Sequence, residues 1–374
     1  MRFFAVNISV LLLCVLNDAR LYSQENTPRA EPEHTLLFDS GRNGYPRYRI
    51  PALAVTPSGT LLAICEGRKD GRGLTGNIDI VSRRSQDGGK TWSPVEIVAD
   101  DGDDTLGNPC IVQDASTKIV WLAYTRSLGS DTEESITDGT SRERTHVFVT
   151  SSHNDGEDWT KPIDITATTK QPDWTWYGTG PGVGIQMKNG RLVIPSYHAE
   201  EKTSVYRSHM IYSDDHGQSW KHGQPVGEHC GECHVVETGD GHLVLNSRTN
   251  MGKELRTTAN SSNGGETWSL ARFDERLYDS HCQASLIALP GTKDHPSRWL
   301  FTHPAGPGRR KLTARVSFDE GQTWPIARLL REGDSQYSCT AVLPDGSIGC
   351  LYDCWNDGNY RLFFVRFDQE WIVN

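Results

Sequence analysis

Ser85-Gln-Asp87-Gly-Gly89-Lys-Thr91-Trp92 reads as a complete turn. An Asp side chain can accept from backbone amides just downstream, and glycine supplies the positive φ that a tight turn demands. Ser or Thr can bond across such a turn, and Trp is large enough to wedge between neighbouring sheets. The same spacing returns at Ser213-Asp-Asp215-His-Gly217-Gln-Ser219-Trp220 and at Ser317-Phe-Asp319-Glu-Gly321-Gln-Thr323-Trp324. Two weaker copies replace the Asp by Asn: Ser152-His-Asn154-Asp-Gly156-Glu-Asp158-Trp159 and Ser261-Ser-Asn263-Gly-Gly265-Glu-Thr267-Trp268. The Asp or Asn positions are 67, 61, 48 and 56 residues apart, and each interval suits one sheet of four short strands. Segments ahead of the boxes, such as Ile78-Asp-Ile80-Val81 and Arg144-Thr-His-Val147-Phe148-Val149, have the β-branched, alternating character of strands. Radial repetition of such units makes a β-propeller. Five copies plus a closing unit predict an all-β, six-bladed β-propeller. On this reading the acidic residues of the boxes are turn-formers and not catalysts.

The remaining composition narrows the class. The chain has 374 residues with a net charge of −10, which argues against a nucleic-acid partner, because phosphate binding needs clustered Lys and Arg. Behind Arg2, an apolar run from Phe3 to Leu16 is broken only by Asn7 and Ser9, then turns polar at Asn17-Asp18. This pattern predicts a signal peptide over 1–23, hence a secreted or periplasmic protein, with the folded domain over 31–374. No later stretch approaches the roughly 20 apolar residues that a transmembrane span requires. Eight cysteines follow Cys14, an even number that permits disulfides in an oxidising compartment. Cys230-x-x-Cys233 has no matching second pair, so no metal is expected. Cys65, Cys110 and Cys282 sit among apolar or turn residues and read as buried thiols.

The five repeats are Asp boxes. Together with Tyr48-Arg49-Ile50-Pro51, which looks like the Arg-Ile-Pro motif near the start of those enzymes, they make the chain resemble the sialidase (neuraminidase) family. The similarity runs in order from about Leu36 to Phe367. It implies an exo-α-sialidase that removes terminal sialic acid from sialylated glycans with retention of configuration and without a cofactor. Sialic acid carries a carboxylate on its anomeric carbon, and three converging arginines would hold it with planar, charge-assisted donors that lysine cannot imitate. By resemblance these are Arg49, Arg248 in Leu245-Asn-Ser-Arg248, and Arg309, with Arg310 the obvious misassignment one residue away. An Asp or Glu nucleophile beside that carboxylate would meet a repulsion of roughly 4 kcal/mol at 4 Å and an effective dielectric near 20. Sialidases are accordingly an exception to the two-carboxylate scheme and use a tyrosine. Tyr337, in Ser335-Gln-Tyr337-Ser338, matches that nucleophile, Glu232 its base partner, and Asp353 a residue that pairs with Arg49.

One position departs from the family. A loop after the first strands carries an Asp that acts as general acid and base, and here that loop is Glu66-Gly-Arg68-Lys-Asp70-Gly-Arg72-Gly-Leu74-Thr75-Gly-Asn77. The expected Asp falls on Leu74, which cannot transfer a proton. Either Asp70, four residues earlier, takes the role, or the role is vacant. Glu66 and Arg68 still match, with Arg68 placed near substrate. Asn108 fits beside the acylamino group. Trp174, Trp176, Tyr177, Tyr197 and His198 could shape the glycerol or aglycone side, or belong to the core. The rival readings are a non-catalytic sialic-acid-binding propeller, which keeps the arginines without the acid, and a structural Asp-box protein with no glycan site.

Overall fold

Residues 31–70, 73–291 and 297–373 are described by a computed structural model. The segment expected to be a signal peptide, 1–23, lies outside them. The architecture is all-β. Cys230–Glu237, Leu243–Thr249, Leu255–Ser261 and Arg272–Tyr278 form one antiparallel meander. Ser285–Leu289, Arg298–Gly306, Arg310–Ser317 and Ile326–Asp334 form the next. Ser338–Val342, Ile348–Asn356 and Asn359–Phe367 take His34–Asp39 as their outer strand, so the two ends of the fold close one sheet. Trp174–Thr179, Leu192–Glu200, Tyr206–Ser213 and Lys221–His222 make a fourth sheet, to which Ile185–Gln186 adds.

The first two repeats differ from the expected separate four-stranded units. The strands between Arg47–Val55 and Ile163–Asp164 run as one nine-stranded sheet, in which Ile78–Ser85 meets Thr105–Asp114 at a single parallel pair, Ile78 with Thr105. The cause is local. The Thr105 hydroxyl accepts from the Gly76 amide at 2.9 Å and donates to the Gly76 carbonyl at 2.7 Å, which stitches the two meanders together.

The sheets stand in a propeller-like arrangement, with inner strands side by side. Arg47–Val55 packs against Thr105–Asp114 and Ser338–Val342, which in turn meets Ser285–Leu289, and Ser285–Leu289 meets Cys230–Glu237. The core fills the spaces between sheets. Leu61, Ala63 and Cys65 meet Leu351, Leu362 and Phe364 in one such layer. The eight described cysteines are free and buried, so the permitted disulfides do not form, and the thiols pack as small hydrophobes.

Each Asp box closes on itself. Asp87 Oδ1 accepts from the amides of Lys90 and Thr91 at 3.0 and 2.9 Å, and Oδ2 from the Thr91 hydroxyl at 2.6 Å. Thr91 thereby holds the Asp87 carboxyl well below the usual range. Gly89, at φ +90°, must be glycine for a second reason: a Cβ would sit 2.4 Å from the Phe364 ring. Trp92 donates to the Gly89 carbonyl at 3.0 Å and packs edge-on against Phe364 of the closing sheet. The Asn boxes keep the turn because Oδ1 still accepts from the Asp158 or Thr267 amide, at 2.9 or 3.0 Å. Only the second bond reverses: Asn154 Nδ2 donates to Asp158 Oδ2 at 3.0 Å and Asn263 Nδ2 to the Thr267 hydroxyl at 2.9 Å.

Candidate active site

Four inner strands break register at related places. Ile50-Pro51 face one residue across the ladder, as do Asn108-Pro109, Thr175-Trp176 and Gly231-Glu232. Each is a β-bulge, which re-aims side chains at a strand end. Ile50 shows what this costs: a β-branched residue at φ +63° is strained. Proline inside a strand and glycine beside Glu232 are the sequence marks of such bulges.

The bulged ends surround a cavity of about 350 Å³. Arg49, Arg68, Arg248, Arg309, Glu232, Tyr337, Asn108 and Tyr197 all line it. The Tyr337 hydroxyl donates to Glu232 Oε1. Arg248 Nη1 donates to Glu232 Oε2 at 2.8 Å and to the Tyr337 hydroxyl at 3.4 Å. The Arg49 and Arg309 guanidiniums stand 5.4 and 5.9 Å from the Tyr337 ring centre. Three arginines therefore surround one buried phenol. Arg248 Nε is buried and has no hydrogen-bond partner among the described residues.

Asp353 lies beneath this group, fully buried. Its Oδ2 accepts from Arg49 Nε, and its Oδ1 accepts from the Tyr337 amide at 2.7 Å. The carboxylate raises the Arg49 pKa against the opposing effect of burial. Burial pushes the Tyr337 phenol well above its usual pKa, and the Glu232 carboxylate adds to this. Arg309 is fixed by Gln336 Oε1 at 2.9 Å and the His281 carbonyl at 2.5 Å. On the facing wall, Glu66 accepts from Arg68 at 2.6 and 3.0 Å, and its second oxygen takes the Asn108 amide at 2.9 Å.

The acid loop splits the two sequence alternatives. Leu74 lines the cavity and is partly exposed. Asp70 is not among the lining residues; its Oδ2 accepts from the Asn77 amide at 3.2 Å. Trp176, Tyr177 and Tyr197 line the cavity. Trp174 and His198 stack on each other behind it, with ring centres 3.6 Å apart.

Glu133 lines the cavity too, and sequence reasoning passed over it. It opens a short helix, Glu133–Asp138, capped by the Thr132 side chain on the Ser135 amide. That capping pattern, in a chain otherwise read as strands, was its available signal. The residue as a whole is exposed, yet its carboxyl is raised above the usual range: withdrawal from water dominates, Arg248 opposes it, and Glu232 reinforces it.

The BNR repeat-like domain family matches residues 59–350, which places the chain among proteins built of BNR (Asp-box) repeats. A sialidase of Micromonospora viridifaciens is 34% identical over 362 residues, 92% of this chain and 55% of the relative. The chain thus spans about half the length of that relative. Sialidase-2 of Mus musculus is 31% identical over 362 residues, covering 87% of this chain and 93% of the relative. Among solved structures, a Hadza microbial sialidase superposes with a TM-score of 0.82 at 30% identity, covering 90% of this chain and 69% of that one. The chain belongs to the sialidase family with BNR repeats.

Proposed function

We propose that the chain is an exo-α-sialidase that hydrolyses terminal sialic acid from glycoconjugates with retention. The observation that carries this reading is the Tyr337 hydroxyl donating to Glu232 inside a cavity ringed by Arg49, Arg248 and Arg309. The arginines hold the substrate carboxylate with planar, charge-assisted donors. The raised Tyr337 pKa keeps the phenol protonated at rest, so attack on the anomeric carbon needs a base in contact. Glu232 takes that proton as the oxygen–carbon bond forms. Water then attacks from the face the aglycone vacated, opposite Tyr337, and the tyrosine–carbon bond breaks, which restores the original configuration. The relatives' names, all sialidases, support the same reading.

The leaving oxygen needs a carboxyl that keeps its proton near neutral pH. Glu133 lines the cavity and is pushed in that direction; Asp70 serves only after releasing the Asn77 amide. A sialic-acid-binding protein without turnover is the second reading, favoured by Leu74 at the cavity wall. Incubation with 3′-sialyllactose followed by NMR separates them. An enzyme releases the α-anomer first, whereas a binding protein releases nothing.

We also propose six blades, counting the nine-stranded sheet as two because one residue pair joins its halves. The domain is assigned to 31–374 and export to the segment 1–23, on the basic start, apolar run and polar exit of that segment.

A further inference from the structure

The cavity is at the small end for ligand pockets, with room for one nine-carbon sugar. The rest of a sialylated glycan must therefore lie on the rim. Among the described residues, Trp355 is the one aromatic among the exposed large apolar side chains.

Its placement ties it to the site. Trp355 lies two residues beyond Asp353 on the strand Ile348–Asn356, so both side chains leave the same face of the sheet. Tyr360 is its partner across the ladder, and the two rings meet edge to face with centres 5.0 Å apart. The Arg49 guanidinium covers the Tyr360 ring at 4.5 Å and the Tyr337 ring at 5.4 Å. An unbroken row therefore runs from Tyr337 through Arg49 and Tyr360 out to Trp355.

The row is held from behind as well. Asp334 Oδ1 accepts from the Trp355 amide at 2.5 Å, and the same carboxylate accepts from Gln336 Nε2 at 3.1 Å. Gln336 in turn fixes Arg309. A turn with Asp357 at φ +48° and Gly358 at φ +80° closes the hairpin one pair beyond Trp355. Two positive-φ central residues match the right-handed twist of a tight hairpin, so the exposed indole sits on a braced element. The indole is 45% exposed and meets Tyr360 edge to face.

Resting on the sialidase reading, we propose that Trp355 is an aglycone subsite: its indole stacks on the apolar face of the sugar next to sialic acid. Binding energy at such a remote point tightens substrate binding without touching the reacting atoms. The test compares wild type, Trp355→Ala and Trp355→Phe on two substrates, 3′-sialyllactose and methyl α-sialoside, whose aglycone is too small to reach the rim. For Trp355→Ala, KM for sialyllactose should rise about five- to tenfold with kcat within about twofold, and methyl sialoside should be unaffected. Trp355→Phe should recover most of the loss. If Trp355→Ala fails to fold, Trp355→Leu makes the same comparison. Equal losses on both substrates, or no loss on either, overturn the subsite while leaving the enzyme reading in place. A wild type inert towards both substrates overturns the sialidase reading and the subsite with it.

Discussion

The carboxylates of the Asp boxes and those of the cavity differ in the reach of their partners. Asp87 is satisfied entirely by residues two to four positions away, as are the side chains of Asp215 and Asp319. Asp353 joins Arg49, 304 positions away, to Tyr337, and Glu232 receives a proton donor from 105 positions away. A carboxylate satisfied by its own turn has its electrostatic capacity used up in making that turn. One whose partners come from several strands exists only when the whole ring is assembled; Asp353 lies fully buried beneath the cavity and Glu232 lines it. The first kind forms the hairpins, and the second kind builds the cavity on which the proposed reaction rests.

The sharpest way to break that contrast is Tyr337→Phe. The ring stays, the attacking oxygen goes, and turnover of an aryl sialoside should fall by at least about a thousandfold. Thermal unfolding within a few degrees of wild type would show that the loss is chemical.

A second test addresses the acid. Glu133→Gln should lower cleavage of sialyllactose about a hundredfold and spare an aryl sialoside, whose phenol leaves without a proton. The raised pKa also fixes the sign of the pH effect. Protonated Glu133 is the donor, so wild-type activity on sialyllactose declines as pH rises through that pKa, and Glu133→Gln removes this limb. If Asp70→Asn gives the selective loss instead, Asp70 is the acid. If neither does and Leu74→Asp improves sialyllactose cleavage, the position is vacant.

The last test makes one change in two places, and its smallest effect is expected in a box. Asp353→Asn leaves buried Arg49 without its counter-charge, which typically costs about 3 to 5 kcal/mol, and should reduce both stability and substrate binding. Asp319→Asn copies what the chain already tolerates at Asn154 and Asn263. It should cost about 1 kcal/mol or less in denaturant titration and leave kcat within about twofold. Equal damage at both positions would erase the distinction between local and long-range carboxylates.

The boxes were legible because a turn is a short-range object: Asp, Gly and Trp within eight residues suffice to specify it. The nine-stranded sheet was not, because it depends on Thr105 meeting Gly76 from 29 positions away. Arg49, Arg248, Arg309, Glu232 and Tyr337 were readable through resemblance, and they come together at one cavity. Glu133 escaped because a single helical turn between strands has no periodicity, and its raised pKa arises from withdrawal from water on folding, reinforced by Glu232 far along the chain and opposed by Arg248. The placement of Asp70 against Asn77 was equally beyond sequence, since glycines on both sides allow the loop many paths.

The central claim, attack by Tyr337 on the anomeric carbon, is tested most directly by trapping. A 2,3-difluorinated sialic acid slows the second step, so the sugar should remain covalently attached, and peptide mass spectrometry should find it on Tyr337. Attachment to any other residue, or steady turnover of natural substrate with no attachment at Tyr337, would contradict the assignment.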